Sequence, residues 1–421
     1  MGETTDLEAA SRTSGALRAG GFVLFGCFVC QMGLGLAYVF PVVLKDIVSE
    51  FGWSRTAFAG SSAPLLLAMG LASPVIGALT DRFGARWVLS VATLLLGGCL
   101  WLLSAMQSLL HFYLVVALIG LALTGLGDIP VGAVAARWFA RNRGLALAIV
   151  YIGSNIGGAL AANAVAMIKQ AVSWQASFQV LGSVAVAVLL PFAIFVVRNP
   201  PSGAAAEETA PPDEAEEESL TPQQALRTRT FWVLAVLLFI FYFYYLGVNN
   251  HLVAFLSDRG YSDAEAARRF SAAILLGVAG KLVIGLLADR IQLKRALLLN
   301  FGLLTLGSFL LLALGLPGFL PAFLILHGFT VAAENVLLPL IVVHCFGVRY
   351  MASIYGRLML ALPAGGILGP IFAGYAFDRL GSYEIAFTTF AVLNLLALGL
   401  LAWVRRETSQ TPLRASSARK A

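Results

Sequence analysis

Charge is what this sequence has least of. Only 12% of its 421 residues are Asp, Glu, Lys or Arg, about half the share of a soluble domain. Hydrophobic residues make up 59%, and the mean hydropathy is +0.85. A soluble fold of this length has too little polar surface to cover so much apolar material. Cysteine is scarce too: Cys27, Cys30, Cys99 and Cys345 all stand in apolar runs, which excludes a disulfide scaffold and a spaced metal site. There is no nucleophile elbow, phosphate-cradling glycine loop or two-histidine metal helix, so no enzyme signature and no cofactor is implied. The pI of 9.2 reflects an excess charge of +6 spread over short loops and the tail, with no basic face for nucleic acid.

What is present is a series of apolar stretches, each near the roughly 20 residues needed to cross a bilayer. They fall near 20–44, 56–79, 87–106, 110–136, 143–167, 174–197, 230–256, 265–288, 296–315, 318–346, 353–377 and 382–404. That predicts an all-α membrane protein with twelve transmembrane helices. Residues 1–19 form a polar N-terminal arm without the apolar core or cleavage site of a removable signal peptide. Residues 198–228 are the one long polar interruption, rich in Pro, Ala and Glu. They read as a disordered linker between one bundle at 20–197 and another at 229–404, and 405–421 as a basic tail. With the N-terminus cytoplasmic, 20 of the 28 Lys and Arg lie on that side and seven on the other, Lys281 belonging to neither. The positive-inside rule then predicts a multi-pass protein of the inner (plasma) membrane with both termini in the cytoplasm.

The chain also carries an internal repeat. Gly77-Ala-Leu-Thr-Asp81-Arg82-Phe-Gly84-Ala-Arg86 follows the second span, and Gly285-Leu-Leu-Ala-Asp289-Arg290 follows the eighth, 208 residues on. Charges that merely obeyed the positive-inside rule would explain the arginines but not the matched Gly-x-x-x-Asp-Arg spacing. A glycine here admits a neighbouring helix, and the aspartate can meet the N-terminus of the next helix or an arginine across a bundle contact. These residues are expected to form a conformational gate.

The two segments resemble the loop signature of the major facilitator superfamily, with Gln292 in the second copy where the first has Gly84. Three further places are similar to its monocarboxylate transporter family: Arg137 to Ala148 running on to Gly153, Gly157 and Gly158, then Arg259 to Asp263, then Asp378 to Tyr383. The resemblance covers essentially the whole chain. It implies two pseudo-symmetric six-helix bundles around one central site, opened alternately to either side. The family's acidic-Gly-Gly-Trp-Gly-Trp opening to the first helix is absent, since residues 17–22 read Leu-Arg-Ala-Gly-Gly-Phe. That departure points to a bacterial relative.

Three charged residues, Lys281, Asp128 and Glu334, fall deep in the spans, where a titratable group costs several kcal/mol. At about 1.5 Å per residue they stand roughly 12, 13 and 20 Å from the nearest loop charges. Gly277 and Gly285 lie a turn to either side of Lys281, which predicts small neighbours and room for a ligand beside the ammonium. A structural ion pair with Asp128 or Glu334 is the alternative. The resemblance implies a counter-ion for substrate carboxylate, because the monocarboxylate family carries an arginine at this point. Lysine supplies a point charge that can also give up its proton. The family's usual acid, four residues earlier, is Gly277 here, so proton coupling would move to another helix. Asp128 and Glu334 are the candidates for coupling or ion pairing; each follows a threonine by four, and they are 206 apart. Gln31 with Tyr38, Tyr151 with Asn155, and Tyr242 and Tyr245 with Asn249 share helix faces, where they could line a pocket or glue helices together. His251, His327 and His344 read as satisfied histidines toward span ends, with no second ligand at metal spacing.

Together these features predict a secondary carrier of a small monocarboxylate, lactate- or pyruvate-like, driven by proton symport. Lys281 would draw the anion, with hydroxyls and amides of the first, fifth and seventh helices orienting it. The related oxalate/formate exchangers have a second cation in the eleventh helix. Leu358-Met-Leu-Ala-Leu362-Pro363 has none, which argues for a single negative charge. The alternatives are a carboxylate exchanger, a proton-driven exporter of cationic or amphipathic compounds, and a membrane sensor without flux. The expected partners are a small anion, protons and the lipid bilayer, with a monomer as the functional unit and no metal.

Overall fold

In the computed structural model, residues 19–54, 57–58, 60–200, 219–314 and 318–407 are described. Among them, twelve helices are long and apolar enough to cross a membrane. The first six are α1 (Ala19–Phe51), α2 (Ser62–Phe83), α3 (Ala85–Ser104), α4 (Leu109–Trp138), α5 (Arg143–Ala171) and α6 (Trp174–Val196). The second six are α7 (Arg229–Asp258), α8 (Arg268–Arg290), α9 (Leu293–Leu312), α10 (Phe319–Phe346), α11 (Met351–Leu380) and α12 (Glu384–Trp403). No strand occurs among the described residues.

Large apolar side chains such as Leu71, Val91, Phe195, Leu275 and Ile371 are exposed. In water they would be a fault. In lipid they are the outer surface, and the backbone inside each helix bonds to itself. Lipid tails are as apolar as leucine, so helices associate by close packing of small residues instead. A Cβ at Gly35 of α1 would strike the backbone of α5 at Ser154 and Gly158, and one at Gly157 would strike Met32. In the second half, Gly365 and Gly369 of α11 lie in the same way against the backbone of α7 at Phe239 and Phe243.

Three helices change course inside the membrane. α1 tightens to a 3-10 stretch over Gly33–Val39. α4 breaks at Gly127, whose backbone (φ −86°, ψ −156°) separates Leu109–Leu126 from Asp128–Trp138. α11 is interrupted after Leu358 and resumes at Ala361. By contrast α10, the repeat counterpart of α4, runs unbroken from Phe319 to Phe346. Asp128 therefore stands in the first turn of a half-helix, whereas Glu334 sits inside a continuous one. Irregular backbone at this depth survives only where protein or a cavity satisfies it.

The expected disordered linker at 198–228 is ordered at its end. Residues 201–218 lie outside the described residues, as do 1–18 and 408–421 of the two terminal segments. Leu220 N–H, however, donates to Phe346 O at 2.9 Å, and Thr221 and Gln224 form a capping box over the short helix Pro222–Ala225. The signal was the Thr-x-x-Gln spacing, which a reading by composition passes over. The start of the tail is held as well: Glu407 N–H donates to Cys345 O at 2.8 Å, and Thr230 donates to the Glu407 carboxylate at 2.7 Å.

The two repeat segments meet the opposite half and close one face. Gly77 of α2 receives the backbone of α11 at Ala352, and Gly285 of α8 receives that of α5 at Gly144. Asp81 accepts from Ser353 N–H and from Arg137, each at 2.7 Å. Asp289 accepts from Gly144 N–H and Leu145 N–H, both at 2.8 Å. Each carboxylate thus sits on the first turn of a helix from the other half, where unpaired N–H groups favour negative charge. Arg137 also reaches Arg349 O at 3.1 Å. Arg82 and Arg86 lie over the rings of Phe83 and Trp87, and Arg290 is exposed. Gly84 has φ +85°, which only glycine adopts readily. At the matching position Gln292 has φ −57°, so the second turn has no need of glycine.

A bulky residue at Gly285 has nowhere to go but into α5. Gly285→Val is expected to hold this face apart, lengthening the distance between spin labels placed on the α4–α5 and α8–α9 loops. An unchanged distance distribution would contradict the packing.

Candidate functional site

A cavity opens between the halves, away from the closed face. It runs along α8 from Lys281 back to Phe270, about 16 Å at 1.5 Å per residue. Its polar lining comes from Tyr38 of α1 and Asn155 of α5 on one side, and from Tyr245, Asn249, Lys281, His327 and Asn335 on the other. Phe270, Ile274 and Val331 make the wall between them apolar.

Lys281 is only 3% exposed. Its Nζ donates to Asn155 Oδ1 at 2.6 Å and to Tyr151 O at 2.8 Å. Among the described residues no carboxylate lies within ion-pair distance of it. Both acceptors belong to α5, so the side chain ties the halves together across the cavity floor. An ammonium has three donors, and the third remains for the cavity. The room predicted from Gly277 and Gly285 is not there: Ala332 and Gly328 of α10 fill the space beside Gly277, and Gly144 fills that beside Gly285. These glycines serve helix packing, and the open volume lies between the halves instead.

Asp128 accepts from Gln31 Nε2 at 2.6 Å. The Tyr151 hydroxyl donates to the Asp128 main-chain carbonyl at 2.9 Å. Tyr151 therefore links Asp128 to Lys281, hydroxyl at one end and carbonyl at the other. Gln31 Oε1 is buried without a hydrogen-bond partner. Turning that amide over would present Oε1 to the carboxyl, so the pair can hold Asp128 either as carboxylate or as acid.

Glu334 is placed differently. It accepts from Asn300 Nδ2 of α9 at 3.3 Å and does not line the cavity. The same amide nitrogen donates to Thr330 O at 3.2 Å. The two repeat-matched acids thus have unlike surroundings, and only Asp128 communicates with Lys281. Asp128, Gln31, Tyr151 and Tyr242 are not part of the lining either, the last having its hydroxyl on Met359 Sδ at 3.7 Å.

The model of the Major Facilitator Superfamily matches residues 23–325 and 271–421. The chain belongs to the major facilitator superfamily. It is similar to Monocarboxylate transporter 11 of Mus musculus, with 28% identity over 374 residues, covering 85% of this chain and 80% of that one. It is likewise similar to the Probable sulfoacetate transporter SauU of Cupriavidus necator, at 27% identity over 86% of each chain. In three dimensions it resembles the human organic anion transporter MFSD10, with a TM-score of 0.68 and 16% identity over 92% of this chain and 99% of that one. That last likeness speaks for the fold. The protein is thus a transporter of this superfamily, similar in sequence to monocarboxylate transporters, with twelve helices long and apolar enough to cross a membrane among its described residues.

Two polar residues of the cavity lining, His327 and Asn335, were missed as site residues by sequence reasoning. His327 is not at the end of its span; it is the ninth residue of α10, between the Tyr244 hydroxyl at 2.8 Å on Nδ1 and Asn249 Oδ1 at 2.9 Å on Nε2. It is satisfied, as expected, yet it also borders the cavity. Its distance from the start of the span was the signal available. His251 by contrast packs behind α11, between the Tyr383 hydroxyl and Pro370 O.

Proposed function

We propose that this transporter is a secondary carrier of a small monocarboxylate, lactate- or pyruvate-like, moved together with a proton by alternating access. The observation that carries the reading is Lys281, a buried ammonium whose partners are two neutral oxygens. Positive charge held in this way at membrane depth is expensive, and an arriving carboxylate supplies the opposite charge that its protein neighbours do not. The names of the relatives, a monocarboxylate transporter and a probable sulfoacetate transporter, agree with an organic anion. A single cation in the lining among the described residues favours a single negative charge. The positive-inside distribution favours a closed face toward the cytoplasm of the inner membrane and a cavity that looks outward.

Proton coupling follows from charge balance. Lys281 and Asp128 are linked through Tyr151 and together are neutral. A carboxylate arriving alone would leave the low-dielectric site negative, and a proton taken up by Asp128 restores neutrality. The carboxylate also competes with Tyr151 O and Asn155 for the ammonium, loosening the tie between halves. Substrate binding thereby biases the bundles toward rocking.

The test is uptake of labelled lactate, pyruvate, acetate and oxalate into proteoliposomes. Monocarboxylates are expected to accumulate when the outside is the more acidic, and oxalate to be excluded. Absence of any carboxylate flux would contradict the proposal. The exporter alternative expects cation flux instead, but the one charged side chain lining the cavity among the described residues is Lys281, which repels cations.

A further inference from the structure

We propose that Asn249, held by a Tyr244–His327 relay, is a specificity-determining donor that selects carboxylates bearing a second oxygen close to the carboxylate. This rests on the carboxylate reading of Lys281 above.

The relay has a fixed direction. Asn249 Oδ1 is an acceptor only, so His327 Nε2 carries the hydrogen and donates to it at 2.9 Å. Nδ1 is then the acceptor for the buried Tyr244 hydroxyl at 2.8 Å. With its oxygen engaged by His327, the Asn249 amide has its NH2 left as the donor. Asn249, Tyr245 and His327 all border the cavity. A relay that merely glued α7 to α10 would have no reason to face it.

Helix register puts this polar pole opposite the ammonium. Gly144 of α5 rests on Gly285 of α8, and the two helices run antiparallel. Asn155, eleven residues past Gly144, is therefore level with Ile274. Gly328, next to His327, rests on Ala273. The Lys281–Asn155 bond and the imidazole thus stand within about one helical turn of each other, roughly 5 Å along the helix axis. A carboxylate on Nζ would place an oxygen on its neighbouring carbon toward Asn249. Tyr244 and His327 are positioning residues and touch no substrate.

The experiment measures labelled lactate and labelled propionate, which differ by one hydroxyl, in the same proteoliposomes. Reading the ratio cancels any loss of folded protein, which lowers both rates alike. The parent is expected to favour lactate about tenfold, the worth of one well-made hydrogen bond in a polar site. Asn249→Leu and His327→Phe are each expected to bring the ratio close to one. His327→Gln is expected to restore it, since that amide can accept from Tyr244 and donate to Asn249. A parent ratio near one, or ratios unchanged by Asn249→Leu and His327→Phe, would overturn the assignment. Should both acids be carried equally well, only the second pole falls. Should neither be carried, the carboxylate reading falls with it.

Discussion

Lys281→Ala is expected to lower the initial rate of carboxylate uptake by about 100-fold in proteoliposomes of equal protein content. A hydrogen bond to a charged group is worth about 1.5–3 kcal/mol, and its loss alone accounts for roughly 10- to 150-fold. Removal of the ammonium also leaves the Asp128 carboxylate unbalanced and repelling the anion. Lys281→Arg is expected to stay within about tenfold of the parent, because a guanidinium offers the same charge with more donors but in a fixed planar fork. Tyr151 O and Asn155 Oδ1, which accept from Nζ at 2.8 and 2.6 Å, can both accept from that fork. If the alanine variant carries carboxylates as fast as the parent, the anion is bound elsewhere.

Asp128→Asn is expected to abolish accumulation against a gradient driven by pH while sparing exchange of labelled for unlabelled substrate. The charges set the sign. In the parent the empty site (Lys281 with Asp128) and the loaded site (carboxylate and proton added) are both neutral, so net uptake should not respond to an imposed membrane potential. In the variant the empty site is positive and the loaded one neutral, which makes net uptake depend on potential; a 100 mV potential is worth about 2.3 kcal/mol per charge. Glu334→Gln is expected to keep pH-driven accumulation, because that acid is held by Asn300, whereas Asp128 is linked through Tyr151 to Lys281. Retained pH-driven accumulation in Asp128→Asn would remove Asp128 from the coupling step.

Much of this architecture was legible in the sequence because a bilayer demands it. Each span has to satisfy its own backbone, so span number and order follow from apolar run length. The matched Gly77–Asp81 and Gly285–Asp289 spacings foretold close approach, but pointed each carboxylate to the next helix in the chain, where the structure has it at the start of α11 and of α5. They could not tell that both contacts cross between the halves, because that depends on which face of the bundle is closed. Lys281 was conspicuous for its depth, yet its neighbours were misjudged: one-dimensional spacing made Gly277 and Gly285 look like empty room, and α10 and α5 occupy it. Asp128 and Glu334 looked equivalent by offset. The break at Gly127, which places Asp128 in the first turn of a half-helix, is not announced by a lone glycine in an apolar run. His327 was hidden because a polar residue in a span gains its meaning from partners on another helix, here Tyr244 and Asn249 of α7.

The most direct measurement is a substrate-bound structure of the full chain in lipid nanodiscs, determined with saturating lactate. The expected result is a carboxylate within about 3 Å of Lys281 Nζ, with the side chain drawn away from Asn155. Lactate bound elsewhere, with Lys281 still on Tyr151 and Asn155, would contradict the carrier mechanism at its centre.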